Sequence, residues 1–522
     1  MARPAKGAGV SAQLTDRSQL TDHLKSRFSN NQFIGFENEK PAFYRPFGVG
    51  RPRPVSYEQI RKFLESYERH ACEGGLNLKR IEESNDLPPK GNPVSDGIKR
   101  TYFIGLDYDN GASVTLEPSA QVEISGAPYA SLYDVNKEYM EHLELCEKAC
   151  KDSDLEMASL GCNPFFTSNI LDIVPKRRYE IFLNALNRAQ VGWHLATLTS
   201  TTQVNLDIRD EEDFAVKLQT GLSLQPVVTA IFANSPFEDG VLTGYKSFRS
   251  HIWARTGLNR TGIPEFVFKD DFGVEDYVDY LFDELRMLAI AREDDIYPAR
   301  GGTLQNFIDG HYKDGNMADE GVFNPAFIDQ TPILADALDS CGTIWWEVRP
   351  TRRGGIEFRG CDNGTPENNM AIAAIWTGLM YDEANLHELH QRVMQWSSDQ
   401  RQALYHGAAK DALDYEFEGR KLQHFAKEIV EMARNGLERR AKALGIDSGV
   451  EYLAPVEEIV RTGLTPADHL INWYQDQVRQ HGKDFDPKSI LTRTSIWPQY
   501  DNDNDNNKNA LSAVPIAKAF NS

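Results

Sequence analysis

Cysteine is scarce in this chain, with six residues in 522. That is too few for a disulfide framework, and it points to a reducing setting. Cys146 and Cys150 stand about one helical turn apart, a spacing open to two readings: half of a metal site, or two thiols on one helix face. Long apolar runs are missing too. Nothing reaches the roughly 18 residues needed to cross a bilayer. The opening MARPAKGAGVSAQLTD lacks the hydrophobic stretch of a secretory signal. The expectation is a cytoplasmic protein without a membrane partner. Positive charge is also short, at 56 Lys and Arg against 77 Asp and Glu, for a formal charge of −21. A net anionic chain does not bind nucleic acid through bulk attraction, so no nucleic-acid partner is expected.

The common catalytic signatures are absent as well. Gly240–Ser247 (GVLTGYKS) looks like a phosphate-binding loop but has the wrong spacing. No G-x-G-x-x-G lies between a strand and a helix, and there is no H-E-x-x-H. His387 and His390 (HELH) read as a solvated helix face. No G-x-S-x-G nucleophile elbow occurs.

What is present is a chain of mixed strands and helices. Residues 1–20 are small and polar and read as a flexible lead-in. Residues 21–495 contain no marked linker and read as one catalytic domain. Residues 496–522 include the tract PQYDNDNDNNKNALS, too polar to offset its ordering entropy, and read as a disordered tail. Strands are expected at 33–40, 102–107, 113–117, 121–125, 155–161, 197–207 and 355–360, with a tight turn at Asn110-Gly111. Helices are expected at 131–153, 178–189, 210–233, 369–382, 417–443, 455–462 and 466–479. Thr465-Pro466 is an N-cap followed by proline in the first turn. Hairpins followed by helices, without a βαβ rhythm, predict an α+β fold with an antiparallel sheet.

Several of these strands carry charged or amide side chains at every second position, which places them on one face. Glu37 and Glu39 form one such pair, and Gln121 and Glu123 another, with Glu117 just before. Gln203 and Asn205 share a face, as do Glu357 and Arg359. Carboxylates gathered on one sheet would repel unless cations stood among them, and magnesium favours carboxylates together with substrate phosphates. The alternative is that E-x-E pairs are simply the outward faces of half-exposed strands.

Six blocks in order carry a resemblance: Gly35–Glu39 (GFENE), Thr115–Pro128 (TLEPSAQVEISGAP), Ser200–Asp207 (STTQVNLD), Leu224–Phe237, Phe248–Gly262 (FRSHIWARTGLNRTG) and Gly436–Leu470. Together they resemble glutamate–cysteine ligases of the plant and proteobacterial type, over about residues 30–475. A seventh block, Ile344–Pro366 (IWWEVRPTRRGGIEFRGCDNGTP), is closer to related carboxylate–amine ligases. The resemblance implies a glutamine-synthetase-like fold with the antiparallel sheet curved into a bowl and flanked by helices. It implies that ATP, L-glutamate and L-cysteine give γ-glutamylcysteine through a γ-glutamyl phosphate, the first step of glutathione synthesis. The alternative is a related ligase joining glutamate or another carboxylate to a different amine.

The resemblance also implies roles. Glu37, Glu39, Glu117, Glu123 and Glu357 are metal-ligand candidates for Mg2+. Gln203, Asn205 and Arg359 would contact the nucleotide, with Arg359 on the transferring phosphoryl group. Arg249 would clamp a glutamate carboxylate and take part in catalysis, since a planar guanidinium suits bidentate carboxylate contact. Arg178 is a further substrate-binding candidate. Two departures stand out. Asn136 and Met370 occupy places where plant-type members carry regulatory cysteines, and residues 294–315 hold no cysteine. No redox switch or redox-driven dimerisation is expected, and the chain reads as a monomer or weak homodimer. After Gly161, family members often carry a basic, Trp-containing stretch where this chain has uncharged Phe165-Phe166.

Overall fold

Eight strands form one sheet in the computed structural model, which describes residues 10–45, 52–90, 94–186, 192–256, 260–292, 295–299, 302–310 and 330–497. They are β1 (Ile34–Lys40), β2 (Leu78–Asn85), β3 (Arg100–Tyr108), β4 (Ser113–Leu116), β5 (Val122–Ser125), β6 (Thr201–Asp207), β7 (Val348–Pro350) and β8 (Gly355–Asp362). Their spatial order is β7-β8-β6-β1-β5-β4-β3-β2. Every neighbouring pair is antiparallel. The β3–β4 hairpin turns at Asn110-Gly111, where Gly111 has φ +93. A side chain there would meet its own backbone, which is why glycine serves the turn.

The helices that matter for this sheet are α1 (Ser18–Lys25), α2 (Tyr57–Glu73), α3 (Leu132–Ser153), α4 (Arg177–Leu186), α5 (Glu211–Ile231), α6 (Phe248–Arg255), α7 (Pro366–Met380), α8 (Ser398–Asp411) and α9 (Leu422–Leu444). Caps set their starts. Ser131 accepts from Tyr133 N, Asp210 from Asp213 N, and Thr365 from Asn368 N ahead of Pro366. Helices α3 and α7 pack on β1, α7 on β6, and α5 on β8. The apolar sheet face meets them through Phe36, Val204, Ile356 and Phe358, all buried. Phe36 lies 4.9 Å from the Tyr139 ring and Phe358 stacks at 4.1 Å on Trp376. Each such aromatic contributes about 1.5–3 kcal/mol by burial. Helices α7 and α9 touch backbone to backbone, since a Cβ at Gly436 would stand 1.9 Å from the Gly378 carbonyl oxygen.

One end of that apolar face is polar and fully buried. Lys40 Nζ donates to Asn38 O (3.0 Å) and Asn38 Oδ1 (2.8 Å). Asn38 Nδ2 donates to Thr202 Oγ1 and Asn363 Oδ1, and Asn369 Nδ2 to the Tyr139 hydroxyl. Such groups stay inside because their hydrogen bonds are made.

The structure corrects several expectations. Residues 10–20 are not a loose lead-in: Leu14 and Leu20 are buried, Leu14 N donates to Pro332 O, and α1 starts at Ser18. Two leucines inside a polar stretch are enough to anchor it. Residues 1–9 lie outside the described residues. So does the tail from 498. Ile496 and Trp497 are half-buried, and Ile496 N donates to Met157 O. The strand expected from 197 starts only at Thr201, because Gly192–Leu198 is helical. Helices α1, α2, α6 and α8 and strands β2 and β7 are additions to the elements expected from the sequence. Cys146 and Cys150 are buried free thiols, and all six cysteines are free. No helix among the described residues is long and apolar enough to cross a membrane.

Candidate active site

The other face of the sheet collects the charge. Cross-strand partners share a face, and the register pairs Glu39 with Glu123, Glu37 with Gln203, Asn205 with Glu357, and Glu357 with Arg349. Four central strands and β7 thus bring Glu37, Glu39, Glu123, Gln203, Asn205, Glu357, Arg349 and Arg359 onto one surface.

Each carboxylate is held by a neighbour. Glu37 accepts from Asn205 Nδ2 at 3.0 Å. Glu39 accepts from Thr201 N at 3.1 Å and from Gln203 Nε2 at 3.2 Å. Glu123 accepts from Thr115 Oγ1 at 3.0 Å. Glu357 receives Arg349 Nε at 2.5 Å, Arg349 Nη2 at 3.3 Å and Arg359 Nε at 3.0 Å. The acidities follow from burial and crowding. Burial, then Glu357 and Glu123, push Glu37 up to about 8. Burial and Glu123 carry Glu39 well above the carboxylate range. Burial also raises Glu123. It acts on Glu357 too, but there Arg349 and Arg359 outweigh it and hold the carboxyl low. Burial, then Arg349, bring Arg359 down to about 10.

This electrostatic strain suits an added divalent cation, which would stabilise the anionic forms of Glu37, Glu39 and Glu123. Among the described residues no three His, Cys, Asp or Glu side chains close into a ready cage. The donor set fits a hard cation that completes its shell from a substrate's oxygens, as Mg2+ does with phosphates. Glu357 departs from its expected role. Both its oxygens are engaged by guanidinium groups, so it anchors Arg349 and Arg359 rather than standing open as a ligand.

Arg249 departs as well. It is fully buried. Its Nη1 donates to Gly360 O at 3.0 Å and its Nη2 to Arg359 O at 2.8 Å. The register of β8 against β6 shifts between Phe358 and Cys361, and these two bonds brace that bulge. Arg249 is therefore a backbone brace here rather than an open carboxylate clamp. Gly360 is required at the same point, because a Cβ would lie 2.3 Å from Glu347 Oε2 and 2.5 Å from Gln225 Cγ.

Arg178 is the second residue of α4, with its Cζ 5.2 Å from the Tyr179 ring centroid. It lines a cleft with Arg352, Phe182, Ile290, Gly342 and Thr343. The Gly342 carbonyl also accepts from Arg349 at 3.1 Å, which joins this cleft to the charged face. Glu117 is buried just past β4. Beside it, Lys176 Nζ donates to Leu116 O at 2.6 Å and to the Tyr179 hydroxyl at 3.2 Å. Burial, then Arg178, pull Lys176 down to about 7.

Sequence reasoning passed over Trp253, Glu347, Lys176 and Asp362. Glu347 is buried and accepts from the Tyr405 hydroxyl. Asp362 accepts from Asn234 N, Ser235 Oγ and Ser247 Oγ, fixing the start of α6. Trp253 had a readable signal, since it follows Arg249 by four residues and so shares its helix face. Phe165 and Phe166 line a separate cleft of about 560 Å³ with Pro52, Asp239, Gly240 and Phe485.

An antiparallel sheet that interleaves carboxylates and guanidinium groups on one face is suited, as a class, to charged, oxygen-rich ligands. The particular family follows from comparison. The model of glutamate-cysteine ligase family 2 matches residues 52–484. The chloroplastic glutamate–cysteine ligase of Medicago truncatula is 32% identical over 483 residues, covering 92% of this chain and 85% of the relative. That of Solanum lycopersicum is 34% identical over 484 residues, covering 92% and 82%. A solved glutamate–cysteine ligase of Francisella tularensis in complex with AMP aligns over 90% of this chain and 88% of its own, at 12% identity and TM-score 0.45. The chain belongs to glutamate-cysteine ligase family 2, a family of enzymes.

Proposed function

We propose that the chain joins L-glutamate to L-cysteine through the glutamate γ-carboxyl, consuming ATP and forming γ-glutamylcysteine. The observation that carries this beyond family membership is the single face on which Glu37, Glu39 and Glu123 stand beside Arg349 and Arg359. A carboxylate is a poor electrophile, so its oxygen must first become a leaving group. The γ-carboxylate attacks the terminal phosphorus of ATP, ADP departs, and an acyl phosphate remains. The amine of cysteine then attacks the acyl carbon, loses its proton, and phosphate leaves. Catalysis of this kind is chiefly positioning and charge stabilisation.

In this reading Glu37, Glu39, Glu123 and Glu117 hold Mg2+, which when bound neutralises charge on the phosphates. Gln203 and Asn205 orient Glu39 and Glu37 and face the nucleotide. Arg359 meets the transferring phosphoryl group, kept in place by Glu357. Arg178, at its cleft, takes a substrate carboxylate. Arg249 supports the bulge that carries Arg359. The same reading has the enzyme working in the cytoplasm as a monomer or weak homodimer, which fractionation and light scattering test.

The uncharged Phe165-Phe166 pair favours a second reading, in which glutamate or another carboxylate joins a different amine. Phosphate release from ATP and glutamate, measured against a panel of amines, decides between them. Cysteine giving the fastest release supports the first reading. Background release with cysteine and clear turnover with another amine overturns it.

A further inference from the structure

We infer that Trp253 is a positioning residue for Arg359, an indole platform that sets the plane of the guanidinium facing the carboxylates. The inference rests on the proposed role of Arg359 at the transferring phosphoryl group. The Arg359 Cζ lies 4.9 Å from the Trp253 ring centroid, and the Arg249 Cζ lies 4.8 Å from the same ring. One buried indole therefore receives two guanidinium groups, of which Arg249 braces the backbone and Arg359 faces the site. Indole is the strongest aromatic partner for a cation, more so when desolvated.

The platform is itself fixed. Trp253 is 4% exposed. Its Nε1 donates to Thr199 Oγ1 at 3.3 Å, and that hydroxyl donates in turn to Leu195 O. The Thr199 carbonyl accepts from Gln121 Nε2 at 3.1 Å. The indole is thus tied to the segments entering β5 and β6, the strands that carry Glu123 and Gln203.

Arg359 needs such a platform. Its side chain is held through Nε, which donates to Gln203 Oε1 at 3.3 Å and to Glu357 Oε2 at 3.0 Å. Its Nη1 is buried with no hydrogen-bond partner among the described residues. A guanidinium held at one nitrogen can swing about that point. Packing against a rigid ring removes the swing, while Nη1 is left without a partner of its own. Arg249 adds the second restraint by holding the carbonyls of Arg359 and Gly360. Trp253 touches no substrate in this account and acts only through Arg359.

A double-mutant cycle tests this. Trp253→Leu, Arg359→Met and the double variant are compared with the parent chain, with phosphate release measured on ATP, glutamate and cysteine with Mg2+. Trp253→Leu is expected to lower kcat about 10- to 100-fold while KM moves less, as for a contact that matters in the transition state. Trp253→Phe, which keeps an aromatic face, is expected to recover most of the rate. In the Arg359→Met background, Trp253→Leu should cost less than about threefold more, since its target is gone. Multiplicative losses in the double variant, or no recovery with phenylalanine, overturn the inference. If Trp253→Leu loses a native melting curve, Trp253→Met takes its place. If the parent chain releases no phosphate with cysteine or any other amine, the functional reading fails. The same cycle is then read as the dissociation constant for Mg2+-ATP, where coupling supports the inference and additivity overturns it.

Discussion

The two faces of the central sheet are made by alternate residues of the same strands, yet they obey different rules. On one face Phe36, Val204, Ile356 and Phe358 fill space against α3, α5 and α7, and each is replaceable in kind by another apolar side chain of similar volume. On the other, Glu37, Glu39, Glu123, Glu357 and Arg359 are kept close together despite repulsion and burial. Glu37 is driven up to about 8 by burial and that crowding. The contrast teaches where stability resides and where it is given up. The core face contributes the folding energy, and the charged face uses part of it to hold groups that would separate in water.

The comparison breaks most sharply on activity. Glu37→Ala and Arg359→Ala are each expected to lower turnover by about 100-fold or more, the scale of losing one charge-stabilising group, with the melting curve retained. Near-normal rates in both would end the assignment of this face as the site. Next, Phe358→Ala should cost about 3–5 kcal/mol, because the ring is buried and stacked on Trp376. Denaturant titration measures the loss, and activity per folded molecule should fall far less than with Arg359→Ala.

A third, smaller effect concerns pH. The Glu37 carboxyl sits at about 8 in the fold against 4.5 as its ordinary value. Between these values the folded chain binds more protons than the unfolded one, so this group's contribution to stability is present below about pH 4.5 and is lost as pH rises toward 8. Mg2+ competes with that proton. The rise in melting temperature on adding Mg2+ should therefore be greater at pH 8 than at pH 6, and equal shifts at both would count against Glu37 as a ligand. The smallest expected effect is redox. Five of the six free thiols are buried and only Cys72 is exposed, so reductant and oxidant should leave the rate unchanged.

How much of this is legible in the sequence depends on the range of the contacts involved. The period-two spacing of Glu37 with Glu39, and of Glu357 with Arg359, is enough to put each pair on a face, because alternation is a property of the strand alone. The Asn110-Gly111 turn and the helix from Ser131 are readable for the same local reason. Helix α2 escapes that reading, though its capping box at Ser56 and Gln59 is a usable signal. Strand β7 escapes it because three residues carry no period.

The roles of Arg249 and Glu357 are not legible in this way. Whether a guanidinium clamps a substrate or braces a bulge depends on what lies opposite it. For Arg249 that is the carbonyls of Arg359 and Gly360, which are 110 and 111 residues away along the chain.

By itself, then, the sequence determined the α+β class, the family, and the residue types that gather on the sheet. These follow from composition, local periodicity and ordered motifs, which survive without three-dimensional context. Only the tertiary structure decided which charges pair, that Glu357 is spent on two arginines, and that Arg249 and Arg359 share the Trp253 ring. Those outcomes depend on strand order and register, which bring β8 beside β6 and α6 behind it. Strand alternation says which side a residue faces, but only the packed fold says what it faces.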